Sequence, residues 1–88
     1  MKGQRFATVR ELYDAEPGGY CKVVETDADG KAIRDVWWIK DPHGSMGRLA
    51  THTVTEHEDG TITVDPSILD PDPGGYHGWL KRGVWSDG

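Results

Sequence analysis

The sequence predicts a mainly β fold: a compact antiparallel sheet of three consecutive hairpins, closed as a small barrel or sandwich, with one short N-terminal helix. Three observations predict it. From Tyr20 onward apolar and polar residues alternate with a period of two, the repeat of a half-buried strand. Turn-forming clusters recur at Asp27–Gly30, Glu58–Gly60 and Lys81–Gly83, each between two such runs. The chain has 88 residues, enough for one small domain (1–88), which divides into an arm and helix at 1–19 and a β core at 20–88.

The first element is helical. Thr8-Val9-Arg10-Glu11 has the form of a capping box, with Thr8 as N-cap and Glu11 reaching back. Phe6, Val9, Leu12 and Tyr13 then recur at helical spacing, and Pro17-Gly18-Gly19 ends the segment. The expected helix is about 9–15.

The first hairpin joins Tyr20–Thr26 to Lys31–Lys40 through Asp27-Ala28-Asp29-Gly30. A four-residue loop sets Val24 opposite Ile33, Lys22 opposite Asp35 and Tyr20 opposite Trp37. Asp27-x-Asp29-Gly30 is not a calcium loop. Its glycine comes too early, and the closing acidic position falls on Trp38.

The second hairpin pairs Leu49–His57 with Thr61–Asp65 over Glu58-Asp59-Gly60. A three-residue loop with Gly60 left-handed sets Val54 opposite Val64 and Ala50 opposite Ile68. It gathers the apolar residues on one face, placing His52 inside and His57 outside. Asp65-Pro66 and the Asp70–Gly75 run are expected to break the sheet. The last hairpin is Tyr76–Leu80 and Val84–Ser86. A three-residue loop there sets Trp79 opposite Trp85, with His77 on the same face.

Ten Lys and Arg against fifteen Asp and Glu leave a net charge of −5, which opposes duplex nucleic acid as a partner. The acids fall mostly in turns, where they are solvated. No apolar run approaches a membrane span of ~18 residues. The opening residues lack the apolar stretch of a signal peptide. The single cysteine, Cys21, allows no internal disulfide and no cysteine-based zinc finger, and suits a reducing compartment. It is expected to serve as a small buried hydrophobe.

Catalytic signals are weak. Ser45 in His43-Gly44-Ser45-Met46-Gly47 lacks the glycine two residues before it and the following helix that a nucleophile elbow needs. The four histidines have no metal-binding spacing. His52 and His77 are the best candidate pair, with Asp65 or Cys21 completing a zinc site in an alternative reading. Four tryptophans in so small a chain exceed what one core needs. Trp37 and Trp38 are adjacent, so in a strand they point to opposite faces. Trp38, Trp79 and Trp85 are therefore the candidate contacts to a protein partner.

Glu58-Asp59-Gly60-Thr61-Ile62-Thr63-Val64-Asp65-Pro66-Ser67-Ile68, then Tyr76-His77-Gly78-Trp79-Leu80 and Gly83-Val84-Trp85, resemble a group of small uncharacterised proteins common in bacteriophages and prophages of actinobacteria. The resemblance covers about 30 residues of the 88. Some relatives carry a cysteine cluster upstream that looks zinc-binding, whereas Asp41–Thr51 here contains no cysteine. The resemblance implies a phage accessory protein and carries over no catalytic residue. Together these features lead to the expectation of a non-enzymatic module that binds another protein or itself. It would act in the host cytoplasm or the virion, without a cofactor. A small-ligand binder of the β core is the other alternative.

Overall fold

A computed structural model describes residues 1–88. Its elements in order are β1 (Gln4–Phe6), α1 (Val9–Asp14), β2 (Gly19–Thr26), β3 (Ala32–Lys40), β4 (Met46–Arg48), β5 (Thr53–Glu56), β6 (Ile62–Leu69), β7 (His77–Lys81) and β8 (Val84–Asp87). Strands β1-β2-β3-β4 form one four-stranded sheet and β5-β6-β7-β8 a second. Neither closes on itself. The two pack face to face, so the fold is a small sandwich rather than a barrel.

Both sheets supply the core between them. Tyr20, Trp37, Ile39 and Leu49 come from the first, and Ile62, Val64, Ile68, Tyr76, Leu80 and Trp85 from the second. Leu12, Cys21 and Val36 are also buried but stand outside that cluster. Helix α1 lies against β1, β2 and β3 and covers the outer face of the first sheet. Gly19 permits this approach. A Cβ there would lie 2.7 Å from both Leu12 Cδ1 and Phe6 Cε2.

The helix begins as expected. The Thr8 side chain accepts from the Glu11 N–H at 3.1 Å. The Glu11 carboxylate reaches one residue beyond the cap and accepts from Ala7 N–H at 3.3 Å. Strand β1, absent from the expected elements, pairs parallel with β2. Just before it, Lys2 bridges Val84 of β8, so the N-terminal residues link the edges of both sheets.

The β2–β3 register differs from the expected one. Tyr20 lies opposite Ile39, Lys22 opposite Trp37 and Val24 opposite Asp35, a shift of two residues. The loop is one residue longer than expected, Asp27–Lys31, and a bulge next to Thr26 adds a second residue on the β3 side. A shift of two preserves facing, so Tyr20 and Trp37 still point inward. Beyond Cys21 and Trp37 this hairpin has no third strand on either edge, and Val24 and Ile33 are exposed.

The Leu49–His57 strand is broken. Only Thr53–Glu56 of it forms a strand, β5, which pairs with β6, while the residues just before Leu49, Met46–Arg48, form β4 and pair with β3. Val54 faces Val64 and Gly60 is left-handed at φ 86°, as expected. The Ala50–Ile68 pair does not form, because the chain crosses between the sheets there. Asp65-Pro66 does not end β6. The strand runs on to Leu69, and an irregularity between Val64 and Ile68 absorbs the missing donor.

The last hairpin turns in two residues, not three. Arg82 (φ 45°) and Gly83 (φ 75°) are both left-handed, the backbone of a type I′ turn. Leu80 therefore faces Trp85, and Trp79 faces Ser86. Trp79 and Trp85 are on opposite faces of the sheet.

Candidate functional site

Trp85 is 2% exposed, and its Nε1–H donates to the Gly18 carbonyl at 2.7 Å. Its ring meets Tyr76 edge-on at 5.6 Å. It is a core residue, which corrects its assignment as a surface contact. The one-residue change in turn length turned it inward. Trp79 and Trp38 are half-buried. Trp79 shares the outer face of β7 with His77, with ring centroids 5.8 Å apart. Leu69, directly opposite His77, is 63% exposed. No helix covers this face, unlike that of the first sheet.

The structure brings His52 and His77 to the same residue. His52 Nε2 lies 3.1 Å from the Ser67 carbonyl, and His77 Nε2 lies 3.2 Å from the Ser67 hydroxyl. A carbonyl only accepts, so His52 Nε2 carries the proton. Nδ1 of the neutral ring is then a buried acceptor without a partner. The zinc set expected from this pair with Asp65 or Cys21 is not assembled. No three His, Cys, Asp or Glu side chains are grouped so as to hold a metal ion. Asp65 is exposed, while Cys21 is sealed within the other sheet, where burial pushes its thiol up.

Ser45 is part of a tight loop. Asp41 Oδ1 accepts from the N–H groups of His43 and Ser45 at 2.9 and 3.0 Å. His43 Nδ1 donates to the Gly74 carbonyl at 3.2 Å, and its ring meets Tyr76 edge-on at 5.4 Å. This contact fastens the loop after β3 to the loop before β7.

Between those loops lies a cleft of about 460 Å³ that opens onto the core. Ile39, Leu49 and Ile68 form its apolar floor, with Met46 and Leu69 beside them. Asp41, Asp70 and Asp72 stand in its wall, with His52 and Arg48. Asp41 is 2% exposed and is the one buried charged residue of the chain. None of the three carboxylates is in an ion pair. The Arg48 guanidinium is already bound to Glu25 Oε1 at 3.0 Å. Pattern reading from single strands missed this cleft, because its walls come from different sheets. The Asp70–Gly75 run, which the sequence marks as a break, is a local trace of it.

A second charged cluster ties the sheets together at an edge. Glu56 of β5 accepts from Arg5 of β1 at 2.7 Å and from Lys22 of β2 at 3.0 Å. The Arg5 guanidinium sits 5.1 Å above Trp37, a cation–π contact. Hydrogen bonds from Arg5 and then Lys22 hold the Glu56 carboxyl below its ordinary value. No helix in the chain is long and apolar enough to cross a membrane. Comparison with family models, with curated proteins and with solved structures finds no match for this chain.

Proposed function

We propose that the chain is a non-enzymatic accessory module of a bacteriophage that acts by binding another protein or further copies of itself. The observation that carries this reading is the bare outer face of the second sheet, where Trp79, His77 and the exposed Leu69 lie together. A half-buried tryptophan on an uncovered sheet is placed to serve as a contact. Trp38, half-buried on the other sheet, is the second contact. The phage setting rests on the C-terminal resemblance alone. It makes the virion or the host cytoplasm the place of action. A chain of this size buries only about 60–65% of its unfolded surface, so docking would add to its stability.

Native mass spectrometry of the untagged protein, with Trp79→Ser beside the wild type, tests the reading. A metal-free oligomer that Trp79→Ser dissociates, with the monomer still folded, supports assembly through this face. A wild-type monomer moves the role to a heterologous partner, whose capture must be lost in the folded Trp79→Ser protein. The reading fails if Trp79→Ser changes neither assembly nor capture.

A further inference from the structure

We infer that the cleft between the Asp41–Ser45 and Asp70–Gly75 loops binds a primary ammonium carried on a short apolar stem. The inference does not depend on the protein-binding reading, since Trp79 and His77, which carry that reading, do not line the cleft, and Leu69 is the one residue the two share. The volume of about 460 Å³ lies at the lower end of small-molecule sites. It leaves ample room for an alkyl stem the length of a long side chain.

The lining fixes the ligand's chemistry. The floor of Ile39, Leu49 and Ile68 favours an apolar stem, which would cover a place where the core meets solvent. The wall is anionic. Asp41 is almost wholly buried and spends Oδ1 on two backbone N–H groups, leaving Oδ2 free and without a cation. A buried carboxylate without a counter-charge is costly. A ligand ammonium would supply the missing cation and up to three donors. Asp70 spends Oδ1 on the Asp72 N–H at 3.1 Å and likewise has no cationic partner. An anionic ligand would have to displace Glu25 from Arg48, the sole guanidinium in the wall. A bare metal ion is ill served, because the acids are not grouped as a ligand set.

An ammonium on an alkyl stem has two sources, a free alkylamine or the lysine side chain of a partner protein. Amide NMR titration of the full chain separates them. The probes are pentylamine hydrochloride, Nα-acetyl-lysine methylamide, 1-pentanol and sodium pentanoate. Pentylamine is expected to bind saturably in the millimolar range, with shifts centred on Gly47, Leu49 and Asp70. Pentanol should bind at least about tenfold more weakly, the worth of one charge-assisted hydrogen bond, and pentanoate should not bind. Equal binding of the lysine derivative assigns the site to a partner's lysine. Its exclusion, with pentylamine still bound, assigns it to a free amine. Asp70→Asn keeps the turn acceptor and should weaken pentylamine several-fold with the fold intact. The inference is overturned if pentanol or pentanoate binds as well as the amine, or if no probe saturates. These comparisons use the wild-type protein, so they decide the matter even if Asp70→Asn does not fold.

Discussion

The Trp85 indole N–H donates to the Gly18 carbonyl across 2.7 Å, joining the last strand of one sheet to the residue just before β2 of the other. Both residues are buried. Gly18 is left-handed at φ 102°, and a Cβ there would lie 2.9 Å from the Met1 side chain. The Gly18 N–H in turn donates to the Lys40 carbonyl at 2.7 Å. The sandwich is thus fastened at this corner by directed bonds as well as by apolar burial.

Trp85→Phe keeps most of the buried ring and removes the donor. It should destabilise the fold by about 1–2 kcal/mol, because the buried Gly18 carbonyl then keeps only the long bond from the Gln4 N–H at 3.4 Å. Trp85→Ala also opens a cavity and should cost about 3–5 kcal/mol, enough to unfold most of a marginal domain. Urea denaturation followed by circular dichroism measures both.

Trp38→Ala and Trp79→Ala should leave the protein folded, with losses of about 1–2 kcal/mol, since each ring is only half-buried. Trp37→Ala, at 7% exposure within the core, should behave like Trp85→Ala. If Trp38→Ala and Trp79→Ala both unfold the chain, these residues are structural and their role as contacts is lost.

The Arg82-Gly83 turn can be improved in one position and not in the other. Arg82 adopts φ 45°, a conformation that an asparagine or glycine tolerates better, so Arg82→Asn should stabilise by up to about 1 kcal/mol. Gly83→Ala should destabilise by more than that. Its Cβ would sit 2.9 Å from the Tyr20 hydroxyl, at a φ of 75°. A shift of the melting temperature in opposite directions for the two variants is the expected result.

Stability should fall on acidification. Glu56 is held below the ordinary value of about 4.5 by hydrogen bonds from Arg5 and then Lys22. Glu25 is held down by Arg34 first, with Arg48 adding to it. Carboxyls with lowered values in the folded state stabilise it fully above the unfolded value. That contribution is lost as the pH falls through the folded value. The melting temperature should therefore be level from neutrality to about pH 5 and decline below it. Glu56→Gln should lower the plateau slightly and flatten the decline. Both carboxylates are solvated, so added salt should shrink the difference.

Cys21 should resist thiol reagents in the native state. It is fully buried, and burial pushes its thiol up, so little thiolate is present at neutral pH. Labelling in urea should follow the global unfolding curve. Fast native labelling would show that α1 lifts from the first sheet.

The sequence by itself determined the strand and helix identities over most of the chain, because those depend on local periods and turn residues. Thr8 caps α1 as the capping box required, Gly60 is left-handed and Val54 faces Val64 as the three-residue turn required, and Tyr20 and Trp37 share one face as the alternation required. Facing survives a slip of two residues, so it was legible even where the β2–β3 register was not. The tertiary structure alone decided what depends on a single residue of register or on distant strands. One residue less in the Arg82-Gly83 turn sent Trp85 into the core and left Trp79 on the surface. The division of 46–56 between two sheets created the cleft that Asp41 and Asp70 both line. Those placements depend on how two sheets bury their faces against each other, an energy summed over the whole core that no local pattern of residues records.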